Sequence, residues 1–156
     1  MRVHEKILAA TVCLALAGCG SSTTTPVIPN ISGDYSGTVQ DTQGGSGSAT
    51  ATFAQTGTSA GGTITDNETG GAVSMQTSLK FTSATAASGA IVVDYSNGTT
   101  CTFSTNATYN STTNVLSGSY TAVTNCTGDS GTFSLTQQCS DTVTGIDRRM
   151  SLPARC

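Results

Sequence analysis

Cys101-Thr102-Phe103-Ser104-Thr105-Asn106-Ala107-Thr108-Tyr109 decides the fold. Successive side chains of a strand point to opposite faces, so Cys101, Phe103, Ala107 and Tyr109 share one side. Thr102, Ser104, Asn106 and Thr108 share the other. One face is apolar and the other is wet. Residues 115–124 repeat the pattern, with Leu116, Gly118, Tyr120 and Ala122 on the inner face. Between the two segments, Asn110-Ser-Thr-Thr-Asn114 is a cluster of turn residues, so the pair reads as a hairpin.

Working outward, the same two-residue alternation recurs at 31–40, 48–55, 61–66, 72–81, 89–95 and 131–137, interrupted by Gly, Asn, Asp and Ser clusters. No stretch after residue 30 keeps a helical period for three turns. Val73, Met75, Leu79 and Phe81 point inward in one segment, and Ile91, Val93 and Tyr95 in the next. Eight short strands with tight turns predict an all-β domain: an eight-stranded antiparallel up-and-down barrel, whose closure removes exposed edges. A two-sheet β-sandwich is the alternative that the pattern permits. In a barrel, Tyr35, Phe53, Met75, Leu79, Phe81, Ile91, Val93, Phe103, Tyr109, Leu116, Tyr120, Phe133 and Leu135 form an inward set large enough to fill the interior solidly.

Ahead of this domain lies a positively charged start (Arg2, Lys6), an apolar run over 7–16, and Leu16-Ala17-Gly18-Cys19. The run is short for a membrane span and has the flanks of a secretory signal. The last four residues resemble the lipobox of bacterial lipoproteins. That resemblance implies removal of 1–18, acylation of Cys19 and a membrane anchor through its lipid. Gly20 stands where Asp would signal inner-membrane retention, so the resemblance implies the outer membrane of a bacterial envelope. Residues 19–30, with two prolines and no charge, read as a lipidated Cys and flexible tether. The expected organisation is then a cleaved signal (1–18), the tether (19–30), one β-barrel domain (31–138) and a C-terminal tail (139–156).

Phrases also recur within the domain. Ile31-Ser-Gly-Asp-Tyr-Ser-Gly-Thr-Val39, Leu116-Ser-Gly-Ser-Tyr-Thr121 and Ser130-Gly-Thr-Phe-Ser-Leu135 resemble the Gly-x-Tyr-x-Gly-Thr and Gly-Thr-Phe-x-Leu phrases of small lipocalin-like bacterial lipoproteins. The resemblance implies a small barrel with glycine at its corners and an aromatic opposite. It implies no particular activity, and the Gly-x-Trp opening of lipocalins is missing because the chain has no Trp.

Beyond the signal and the lipidated Cys19, four cysteines remain for an oxidising compartment: Cys101, Cys126, Cys139 and Cys156. The hairpin brings Cys126 to within about two residues of the position facing Cys101, so Cys101–Cys126 is the favoured bridge. Cys139 and Cys156 are left to pair or to stay free. A four-thiolate zinc site is the sharper alternative, but these spacings lack a Cys-x-x-Cys knuckle.

Composition narrows the function. The chain has 156 residues with a formal charge of −3 and six Lys and Arg in all, too few to track a phosphate backbone, so nucleic acid is not an expected partner. Its one His, His4, falls in the signal segment. Gly128-Asp-Ser130-Gly131 matches part of the signature around a protease nucleophile, but a His to activate Ser130 is missing, and the motif reads as a turn. Asp66-Asn-Glu68 places two carboxylates close together and reads as a solvated turn before a calcium site. Six Asn-x-Ser/Thr triplets read as polar strand faces, and Arg148, Arg149 and Arg155 as a solvated tail. No cofactor or metal is expected. The leading expectation is a non-enzymatic, membrane-anchored envelope lipoprotein with a structural or partner-binding role. A small hydrophobic-ligand carrier using the barrel interior is the alternative, and a surface adhesin or glycan binder the second.

Overall fold

A computed structural model describes residues 26–68 and 71–139. The signal, Cys19, the tail arginines and Cys156 lie outside the described residues. Eight strands follow one another: β1 (Gly33–Asp41), β2 (Gly45–Thr56), β3 (Ser59–Glu68), β4 (Gly71–Phe81), β5 (Ala86–Asp94), β6 (Thr100–Asn110), β7 (Val115–Thr124) and β8 (Ser130–Gln137). Each pairs antiparallel with the next, and β1 pairs with β8, Tyr35 facing Gln137 and Asp41 facing Gly131. The sheet is thus a closed up-and-down barrel, and the sandwich alternative is excluded.

Alternation governs which side chains enter the barrel. In β6 the odd positions Cys101, Phe103, Thr105, Ala107 and Tyr109 are buried. Their even neighbours are Thr, Ser and Asn, largely exposed. An apolar interior behind a hydroxyl-rich exterior is the reverse of the barrels that cross bilayers with an apolar outer surface. Within β6, Thr105 is the polar residue among the inward positions, and its hydroxyl donates to the Ser119 carbonyl at 3.0 Å.

The two ends differ. At the end holding the β2–β3, β4–β5 and β6–β7 turns, Tyr35, Phe53, Leu79, Phe81, Tyr109, Leu116 and Leu135 pack together. The segment preceding β1 folds across this end. Ile31 is fully buried there, its N–H donating to Gln55 Oε1 at 2.9 Å and its carbonyl accepting from Tyr35 Oη at 3.0 Å. Gln137 Nε2 donates to the Ser32 carbonyl at 2.8 Å, and Gln137 Oε1 accepts from Tyr109 Oη at 3.0 Å. Burial pushes both phenols up, that of Tyr35 further with Tyr109 beside it. The docked segment starts at Ile28, which packs against the core within the stretch read as tether.

Candidate cavity and acidic mouth

At the other end the interior is not filled. The inward positions there are short or set back: Asp41, Asp66, Val73, Met75, Val93, Cys101, Ala122 and Gly131. They leave a cavity of about 350 Å³, floored by Met75, Ile91, Val93 and Phe103 and opening among Asp41, Tyr95, Tyr120 and Asp129. This corrects the expectation of a solid interior. The inward set faces the interior as its alternation predicts, but most of its large members gather in the closed half. The volume falls at the lower end of the range of small-molecule pockets.

Asp66 departs from its expected place in a solvated turn. Strand β3 continues to Glu68, so the alternation that turns Ala60 and Ile64 inward carries Asp66 inward too, where it is 6% exposed. Asp41 extends the inward row of Tyr35 and Val39 in β1 by the same logic. Its Oδ1 accepts the backbone N–H groups of Gln43 and Gly44 at 2.7 and 2.8 Å, and its Oδ2 accepts Tyr120 Oη at 2.7 Å. Tyr120 faces Gly131, which in turn faces Asp41, so the tyrosine ring crosses the strand where that strand has no side chain.

Asp129 completes the mouth from the segment between β7 and β8. It is nearly buried and hydrogen-bonds to the Asp41 carboxyl, and Thr42 Oγ1 donates to its Oδ1 at 3.3 Å. Burial, and then the neighbouring Asp41 charge, holds the Asp129 carboxyl above the usual carboxylate range. Burial acts on Asp41 in the same direction, but the Gly44 N–H, the Tyr120 hydroxyl, the Gln43 N–H and Asp129 outweigh it and lower that carboxyl. Of the two carboxyl groups, Asp129 is thus the one on which the protonated form is favoured.

A pH dependence follows. The stability that Asp129 contributes is complete below the ordinary carboxylate range and is lost as pH rises through its raised pKa. Asp41 acts in the opposite sense, losing its contribution as pH falls through its lowered value. An Asp129→Asn variant keeps a donor facing Asp41 without the titration. Relative to this variant, the parent should lose thermal stability as pH is raised from about 4 to about 7. Parallel melting curves for the two proteins across that range would contradict the raised Asp129 carboxyl.

The Cys101–Cys126 disulfide stands at the same end, with Cα atoms 5.7 Å apart. A β-bulge between Thr102 and Phe103 moves the register so that Thr102 faces Thr124, which takes up part of the offset expected from the hairpin. The bridge ties the Asp129 segment to the start of β6. It also removes two thiolates from the four-cysteine zinc alternative. Cys139 is disulfide-bonded as well, and Cys156, the partner the sequence leaves for it, lies outside the described residues. Ser130 opens β8, its N–H donating to Thr42 Oγ1 at 3.1 Å. No His lies among the described residues, and none of their acidic and Cys side chains gather in a group of three or more that could hold a metal ion.

No protein-family model matches the chain, and no curated protein matches it. Among solved structures it is similar to a redesigned beta barrel, with a TM-score of 0.56 and 14% identity over 69% of this chain and 91% of that one. At that identity the likeness shows the fold alone. Fold and site together define a small closed β-barrel, sealed at one end and hollow at the other.

Proposed function

We propose that this protein is a non-enzymatic, envelope-anchored barrel that binds a small, largely apolar molecule in its interior. The observation that carries this reading is the apolar-walled cavity, which makes the carrier alternative stronger than a purely structural role. The lipobox resemblance at Leu16-Ala17-Gly18-Cys19 is what supports the anchoring, and the chain topology bears on its orientation. Both the segment before β1 and the end of β8 lie at the sealed end, so a lipid on Cys19 would turn that end toward the bilayer and the mouth away from it. Two or three acyl chains at about 0.8 kcal/mol per buried methylene would hold it there durably.

The neutral dye N-phenyl-1-naphthylamine tests the cavity. Its fluorescence should rise and shift to the blue on binding the purified full chain. Val73→Phe, which fills the wall, should weaken that binding about tenfold or more. Unchanged dye binding in Val73→Phe, or none in the parent, would return the protein to a structural or partner-binding role. Palmitate labelling tests the anchor, since Cys19→Ser should abolish incorporation.

A further inference from the structure

We propose that the cavity selects a monoammonium compound with a compact aromatic or aliphatic body, the body against Met75, Ile91, Val93 and Phe103 and the ammonium among the carboxyl groups of the mouth. The proposal rests on the reading of the cavity as a ligand site and adds the charge of what enters it. An acidic rim alone is commonly a solvated cluster of charge. Here the carboxyl groups border an apolar-walled cavity of about 350 Å³, with Asp66 in one wall and the Asp41–Asp129 pair at the mouth.

The distribution of charge gives the sign. Among the residues whose side chains are described, Asp41, Asp66, Asp94 and Asp129 all lie at the open end, and Asp34 is the acidic residue toward the sealed one. The single cation among them, Lys80, is next to the last residue of β4, at the sealed end. An anion entering the mouth would therefore add charge to a region that holds carboxyl groups and no base. A cation would be drawn in by the same field, which low-dielectric walls focus. Once inside, it would have carboxylate oxygens as acceptors and the rings of Tyr95 and Tyr120 as neighbours for a cation–π contact. Asp41 and Asp129 stand side by side at this mouth, and an ammonium group would bring a positive charge and three donors to them. A neutral alcohol of the same shape would gain the apolar contacts alone.

Competition against N-phenyl-1-naphthylamine on the purified full chain separates these cases. The competitors are 1-naphthylmethylamine, 1-naphthylmethanol and 1-naphthoate, matched in body and differing in charge. The amine should displace the dye at a concentration about tenfold or more below that of the alcohol, with the naphthoate weakest. Asp66→Asn and the double variant Asp41→Asn/Asp129→Asn should each shrink the preference for the amine over the alcohol, while an unchanged far-ultraviolet circular dichroism spectrum and a cooperative melt report an intact barrel. Equal displacement by amine and alcohol, or a preference for naphthoate, overturns the charge selectivity and leaves the pocket reading standing. An amine preference unchanged in both variants overturns the assignment to these carboxyl groups. If the dye does not bind, both readings fall.

Discussion

Replacing Cys101 and Cys126 by Ser should lower the stability of the barrel by about 3 kcal/mol, the entropy returned to an unfolded chain freed of a 25-residue loop. For a domain of this size that corresponds to a fall of more than about 10 °C in Tm. The effect should also be local. Cys101 is fully buried, and Cys126 packs at the edge of the core in the segment that carries Asp129. Without the bridge, this segment keeps the Ala122 N–H to Asp129 carbonyl bond of 2.9 Å, the Asp129 N–H to Cys126 carbonyl bond of 3.1 Å and the Thr42 contact. Each of these hydrogen bonds is worth about 1 kcal/mol net. Amide exchange over 125–129 should therefore accelerate more than exchange in β2 and β3, and dye affinity should fall with it. Urea titration and hydrogen exchange of the double variant measure both effects. A loss below about 1 kcal/mol with unchanged exchange would show that strand pairing alone holds the mouth.

The mouth was harder to read from sequence than the strands that build it. Eight strands were legible because an interior position and a solvent position alternate in residue type, as Phe103 and Ser104 do. The favoured disulfide was legible because a hairpin fixes which strand ends meet. Closure could be argued only from the need to hide edges, and Tyr35 facing Gln137 is a contact between distant parts of the chain. The cavity was not legible, because it depends on how inward side chains from eight strands stack into layers, which register sets and composition does not. Asp66 is hard to place from sequence for a related reason. A carboxylate flanked by Thr, Asn and Glu looks like turn material, and only the continuation of β3 to Glu68 places it in the wall. The bulge near Phe103 left no clear mark in the sequence, but it leaves Val123 as the extra residue, 63% exposed.

Gly89→Ala should cost about 2–3 kcal/mol although it adds one methyl group. Gly89 faces Leu79 across β4 and β5 on the inner side of the barrel. A Cβ built there would overlap the Ser78 carbonyl oxygen and lie 3.0 Å from Leu79 Cα. Both are backbone atoms, so no rotamer change relieves the contact. Relief requires β4 and β5 to separate, and that stretches the ladder hydrogen bonds on either side. Gly37 is placed in the same way against the Ser134 carbonyl and Leu135 Cα, and Gly37→Ala should behave alike. Gly61 provides the contrast within the same sheet. A Cβ there meets only the Thr77 carbonyl oxygen, at an ordinary 3.7 Å. Gly61→Ala should be neutral or stabilise by about 0.5 kcal/mol, through lost freedom in the unfolded chain. Urea midpoints for the three variants decide the matter. If Gly89→Ala and Gly37→Ala unfold with Gly61→Ala, the close backbone approach is not what closes the barrel, and its curvature must come from the packing of the sealed half around Ile31.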